Sequence, residues 1–227
     1  TCLDIWSNPD NTVIGDRAYG SDPHTVTSAG LAVNQGLEQG GVIPVVKHFP
    51  GHGDTSTDSH VDLPVVGKTA EELEEFELIP FQEAIDEGTP CVMVAHILMT
   101  QIDPDLPASL SPKVVDGLLR QEMGFDGVVC TDDLTMGAIS NTYGMGEAAV
   151  MAVEAGCDLL LVCHEADNLT AARDALLSAV DAGRISMERL DESVYRILSL
   201  KQEYGLTNDP VDQPDIETLN ARIGSIS

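Results

Sequence analysis

Apolar positions along the chain follow two different periods that take turns. Short continuous runs occur at residues 42–46 (VIPVV), 91–97 (CVMVAHI), 127–134 (GVVCTDDL) and 157–163 (CDLLLVC), and the fragment LDI at 3–5 reads as the end of another. Runs this short, rich in valine and leucine and bounded by glycine and proline, predict strands buried on both faces. The stretches between them have helical spacing. Residues 23–39 carry Val26, Ala29, Leu31, Ala32, Val33 and Leu37 and stop at Gly40 and Gly41. Thr69 and Glu72 form a capping box, and the following helix is expected to run through Leu73, Phe76, Leu78, Phe81, Ala84 and Ile85 to Gly88. Ser111 and Pro112 open a helix that ends at Gly124, and further helices are predicted around 147–155, 169–182 and 186–204. Strand and helix alternate with short connections, which predicts an α/β fold: a parallel sheet covered by helices, over residues 1–206. Pro210 and Pro214 mark a tail over 207–227.

The polar residues of the strands are not scattered. Lys47 and His48, His96, Asp132 and Asp133, and His164 all fall at the C-terminal ends of the apolar runs. Both (β/α) barrels and doubly wound sheets keep their sites at that end. Neither GxGxxG nor GxxxxGK[ST] follows any run, which counts against a nucleotide-binding sheet.

Composition removes some function classes. Acidic residues outnumber basic ones 38 to 11 over 227 residues, and the resulting net charge of −27 argues against nucleic acid as a partner. The cysteines (2, 91, 130, 157, 163) are odd in number, lack metal-ligand spacing and mostly sit in apolar runs, so buried reduced thiols are expected. No apolar run is long enough to span a bilayer and no signal peptide is evident at Thr1. The chain has no initiator methionine and opens inside a strand's end, which leaves the compartment open.

The candidate chemistry is densest at residues 45–60, VVKHFPGHGDTSTDSH, which hold three histidines, a lysine and two aspartates. Pro50, Gly51 and Gly53 end the strand there, putting these side chains on its exit and the loop beyond. Asp58, two residues before His60, can bind one ring nitrogen and raise the imidazole's proton affinity, the preparation a general acid needs. Asp132 and Asp133 close a buried strand, where one carboxylate can serve as nucleophile or base while the other, expected to be Asp133, caps the next turn. Lys47 and His48 suit hydroxyl or carboxyl groups. For His96 a satisfied buried ring and direct contact with substrate weigh equally. Arg17 is the only cation of the long loop at 6–23, where a role in the site and a salt bridge to Asp16 or Asp22 also weigh equally. His48, His52, Asp54, Asp58 and His60 include good zinc ligands, yet Pro50 and Gly51 break the helix that HxxxH spacing needs, so metal is the minor reading. No GxSxG elbow supports a serine triad.

KHFPGHGDTSTDSH followed by DLP, with GDRAYGSDP upstream and PCVMVAHI and GFDGVVCTDDL downstream, resembles glycoside hydrolase family 3, in particular its bacterial β-N-acetylglucosaminidases, from about Leu3 to Leu206. The resemblance implies a (β/α)8 TIM barrel and retaining hydrolysis through a covalent glycosyl-enzyme. It matches Asp132 to the nucleophile, His60 to an acid/base histidine, Asp58 to its partner, and Arg17, Lys47 and His48 to groups holding a terminal N-acetylglucosamine. It implies a carbohydrate substrate, such as a cell-wall fragment, and no cofactor. The family's first three strands and the substrate-binding aspartate they carry have no counterpart here, so a partial barrel from the end of strand four to strand eight is expected, completed by a companion N-terminal chain or a neighbouring copy. A β-glucosidase of the same family is the alternative within the class. A sugar-binding fragment without turnover is the alternative outside it.

Overall fold

The structure, a computed structural model, describes residues 1–55, 63–210 and 213–225. The strands are β1 (Val45–Phe49), β2 (Val65–Val66), β3 (Cys91–Val94), β4 (Leu98–Met99), β5 (Val128–Asp133) and β6 (Leu159–Leu161). Four of them form one sheet in the order β1-β3-β5-β6, every pair parallel, and β2 with β4 makes a small second sheet. The run at 3–5 forms no full strand. It contributes a parallel bridge between Cys2 and Lys47, with the Leu3 N–H donating to the Lys47 carbonyl at 2.6 Å. Among the described residues the sheet does not close on itself.

Side-chain alternation assigns the two faces of this sheet. Leu3, Val46, Val92, Val94 and Val129 belong to the main core, which the helices cover. Val45, Cys91, Met93, Val128 and Cys130 lie together on the opposite face, packed against Ile197 and Leu200. Each residue two positions further along a strand keeps to its face. Lys47 therefore follows Val45, and Asp132 follows Cys130, to the C-terminal end of that second face.

The helices are α1 (Pro23–Gln39), α2 (Ala70–Glu74), α3 (Ile79–Asp86), α4 (Gly137–Ser140), α5 (Met145–Ala155), α6 (Ala166–Asp181), α7 (Met187–Glu203) and α8 (Ile216–Ile223), with a π-helix at Lys113–Glu122. Asp22 caps α1 through the Thr25 amide at 2.8 Å, with Pro23 in the first turn, where its missing N–H costs nothing. Gly30 lets α1 approach the sheet: a β-carbon there would stand 2.3 Å from Leu3 Cδ2. The helix expected across 69–88 is two helices. The Thr69–Glu72 capping box is present, but Pro80 cannot lie in a helix interior, and the chain turns after Glu74 and restarts at Ile79. The tail contains α8, capped by Asp215, which the prolines concealed.

An ionic cluster fastens α7 to the N-terminal end of the sheet. The Asp158 carboxylate, its side chain wholly buried, accepts from Arg120 at 2.6 Å, Ser193 at 2.7 Å and the Val129 amide at 3.0 Å. Arg189 and Arg196 each approach it to 3.4 Å. All five cysteines are free. Cys163, expected to be buried, is exposed because β6 ends at Leu161 and leaves it on the turn beyond. Among the described residues no helix is long and apolar enough to cross a membrane.

Candidate active site

Asp132 is half-buried at the end of β5. Its Oδ1 accepts the Asp133 N–H at 2.8 Å, which among the described residues is its only hydrogen bond. Its neighbour points to the other face and is fully engaged. Asp133 accepts from the Thr135 amide and hydroxyl at 3.1 and 2.6 Å and from the Cys163 amide at 3.0 Å. Burial opposes ionisation of Asp133, but these bonds together hold its carboxyl below the ordinary carboxylate value. One aspartate of the pair is thus built into the turn and the other presents its carboxylate to the open face.

His96 is entirely buried: Nε2 lies 3.0 Å from the Asp133 carbonyl and Nδ1 lies 2.7 Å from the Ser109 hydroxyl. A carbonyl only accepts, so Nε2 carries the hydrogen and Nδ1 takes one from Ser109. Burial pushes this imidazole down, with the Asp132 carboxylate pulling the other way. Of the two readings open for His96, the structure shows the satisfied buried ring. It braces the backbone that carries Asp132 and Asp133.

On β1 the sequence brings Lys47 and His48 to the same end of the sheet as Asp132. Phe49 pairs with Val94, and Val94 with Thr131, so Lys47 and His48 sit about two residues short of the level of Asp132. Only β3 separates their strands, whose axes therefore run roughly 10 Å apart. The Lys47–His48 and Phe49–Pro50 peptides are cis. Lys47 is half-buried on the open face, while the His48 ring is buried and held.

What holds it is Asp4, which the sequence reading passed over as part of an apolar fragment. Asp4 is wholly buried. Its Oδ2 lies 2.6 Å from His48 Nδ1 and 3.0 Å from Cys2 Sγ, and its Oδ1 accepts the His52 amide at 2.6 Å. The His48 amide approaches both oxygens at 3.3 Å. Burial alone would lift this carboxyl, but the His48 imidazole and the converging donors outweigh it and hold Asp4 well below the usual carboxylate range. Burial, followed by the Asp4 charge, pushes the Cys2 thiol up to about 12. A charged residue at the end of an apolar run, as Lys47 and Asp132 are, was the available signal for Asp4.

The segment after β1 is tied to the loop at 6–14. Asn11 donates to the His52 carbonyl at 2.7 Å, Thr55 Oγ1 lies 2.6 Å from His52 Nδ1, and the Asn8 amide donates to the Gly53 carbonyl at 3.3 Å. Gly53 is obligatory, since a β-carbon there would fall 1.8 Å from the Ile5 carbonyl oxygen. Lys68 Nζ meets Asp54 Oδ2 at 2.9 Å and also pairs with the buried Glu77. Asp58 and His60 lie outside the described residues. Arg17 is exposed and donates to the Val13 carbonyl at 2.6 Å; among the described residues it forms no salt bridge to Asp16 or Asp22. Of the possible metal ligands, the described residues bring together Cys2, Asp4 and His48, rather than the His48, His52 and Asp54 weighed from the sequence.

Comparison with known proteins identifies relatives of this chain. Residues 2–200 match the N-terminal domain of glycosyl hydrolase family 3. The chain is 40% identical over 205 residues to the β-hexosaminidase LpqI of Mycobacterium tuberculosis, covering 88% of this chain and 52% of that protein. It is 36% identical over 195 residues to a β-hexosaminidase of Nitrosomonas eutropha, covering 85% of this chain and 56% of that one. The chain therefore spans about half the length of the curated relatives it matches. Among solved structures, a family 3 β-N-acetylglucosaminidase from Paenibacillus superimposes with a TM-score of 0.91 at 51% identity, covering 95% of this chain and 41% of that one.

Proposed function

The chain belongs to glycosyl hydrolase family 3 through that family's N-terminal domain, and on that premise we propose that it carries the catalytic residues of a retaining, exo-acting β-N-acetylglucosaminidase. The observation that carries the reading is the pairing of Lys47 and Asp132 on one sheet face, towards one end, on strands about 10 Å apart. That gap suits a pyranose ring lying across β3. Asp132 is the nucleophile: its carboxylate forms a bond to the anomeric carbon as the bond to the leaving oxygen breaks. His60, oriented by Asp58, gives its proton to that oxygen. It then takes a proton from the water that attacks the anomeric carbon and releases Asp132. Lys47, His48 and Arg17 hold the sugar, with Asp4 fixing the His48 ring. Terminal β-linked N-acetylglucosamine, as in cell-wall fragments, is the substrate class; the β-hexosaminidase and β-N-acetylglucosaminidase relatives support the sugar and not its source.

We further propose that the four-stranded sheet is the later part of a (β/α)8 barrel, with the family's first three strands completing it. The outer edge of β6, unpaired among the described residues and with Leu159 exposed, supports this.

The test compares aryl β-N-acetylglucosaminide with aryl β-glucoside, with and without the N-terminal strands supplied. Preference for the acetamido sugar, lost by at least about a thousandfold in Asp132→Asn, is the expected result. Preference for the glucoside would move the chain to the β-glucosidase alternative. Thermal stabilisation by N-acetylglucosamine without turnover under any condition would make it a sugar-binding fragment.

A further inference from the structure

Cys2, Asp4 and His48 place a thiol sulfur, a carboxylate oxygen and an imidazole nitrogen within 4.8 Å of one another, and all three residues are buried. Packing does not require these three residue types to meet. The apolar residues of the same sheet face, Val45, Met93 and Val128, show what ordinarily fills it. We propose that Cys2, Asp4 and His48 form a binding site for one borderline-soft divalent cation, zinc foremost. A sulfur, a nitrogen and one hard oxygen select zinc over magnesium or calcium, which take oxygen ligands almost exclusively. Three protein ligands leave one tetrahedral position for water.

The present spacings are those of a hydrogen-bonded cluster, 3.0 Å from Cys2 Sγ to Asp4 Oδ2 and 2.6 Å from His48 Nδ1 to the same oxygen. Tetrahedral bonds of ordinary zinc length require separations of about 3.3–3.6 Å, so the two pairs that share Asp4 Oδ2 need open by less than about 1 Å, and the sulfur and nitrogen already lie within 4.8 Å of each other. On loading, the thiol proton leaves to solvent. Nδ1 gives up its hydrogen, which a neutral ring then carries on Nε2. A thiolate and a carboxylate cancel the charge of the cation, so the buried cluster gains no net charge to desolvate. Occupancy would withdraw His48 from the sugar. This last consequence rests on the proposed function, whereas binding itself does not.

Cobalt and zinc are the probes, used on the full chain carrying Cys163→Ser so that the exposed thiol does not compete. Cobalt at one equivalent is expected to give a thiolate charge-transfer band in the near ultraviolet. Zinc should displace it, and Asp132→Asn should leave it unchanged. Adding Cys2→Ser should abolish the band and weaken zinc at least tenfold. His48→Ala should weaken zinc as well, with metal-free melting of each variant confirming that it folds. A band that persists in the Cys2→Ser protein, or its absence from the parent at saturating cobalt, would overturn the site.

Discussion

Replacing Asp4 by asparagine changes one atom at the centre of the site and leaves its volume intact. As the carboxylate stands, Oδ2 receives the His48 ring and the Cys2 thiol, and Oδ1 receives the His52 amide, with the His48 amide shared between them. Asparagine has one accepting oxygen. If its NH2 takes the Oδ2 position, the His48 ring and Cys2 face a donor; if it takes the Oδ1 position, the His52 and His48 amides do. Either way two buried donors lose their acceptor, at about 1–3 kcal/mol each. His48 can recover one bond by shifting its hydrogen to Nε2. The expected loss is therefore about 1–3 kcal/mol, read as a lower urea midpoint with unchanged slope at pH 7.

The same variant predicts a pH dependence. The folded Asp4 carboxyl lies below its unfolded value, so the native state binds its proton later than the unfolded state does. Its stabilisation is complete above about pH 4, the unfolded range, and declines as the pH falls further. The gap between wild type and Asp4→Asn should thus be constant from pH 7 to 5 and narrow below about pH 4. A loss under about 0.5 kcal/mol at pH 7, or a gap that widens in acid, would refute the reasoning.

Other positions give sharper contrasts. Asp158→Ala leaves the guanidinium groups of Arg120, Arg189 and Arg196 short of their buried counter-charge and should cost about 3–5 kcal/mol in urea melts, loosening α7 first in amide exchange. Asp133→Ala should cost about 1–3 kcal/mol in the same melts because its three donors are stranded, whereas Asp132→Asn should stay within about 0.5 kcal/mol of wild type while removing turnover. Gly53→Ala drives a β-carbon into the Ile5 carbonyl, so the backbone at Gly53, five residues before Asp58, must shift. Its kcat against N-acetylglucosaminide should fall at least tenfold, with a smaller change in KM.

Much of this was legible because parallel strands advertise themselves. Valine-rich runs closed by Lys47, Asp132 and His164 put the polar residues at one end of the sheet on pattern alone. The assignment of roles between adjacent aspartates also followed from the need to cap the turn after β5. What the sequence concealed depended on long-range partners. Asp4 reads as an oddity in LDI until His48 and His52, more than forty residues away, are placed around it. Pro80 splits a helix whose apolar spacing is unbroken, because ring sterics override periodicity. Cys163 looked like part of a buried run, yet β6 uses only its three central residues.

The account stands on Asp132 as the atom that bonds to sugar. The direct measurement is to trap that bond with an activated 5-fluoro-N-acetylglucosaminyl fluoride, whose ring fluorine slows release of the glycosyl-enzyme, and to map the modified peptide by mass spectrometry. The account predicts one sugar per active chain on the peptide containing Asp132, absent from the Asp132→Asn protein. Turnover with the label on Asp133 or any other residue, or with no label at all, would contradict it.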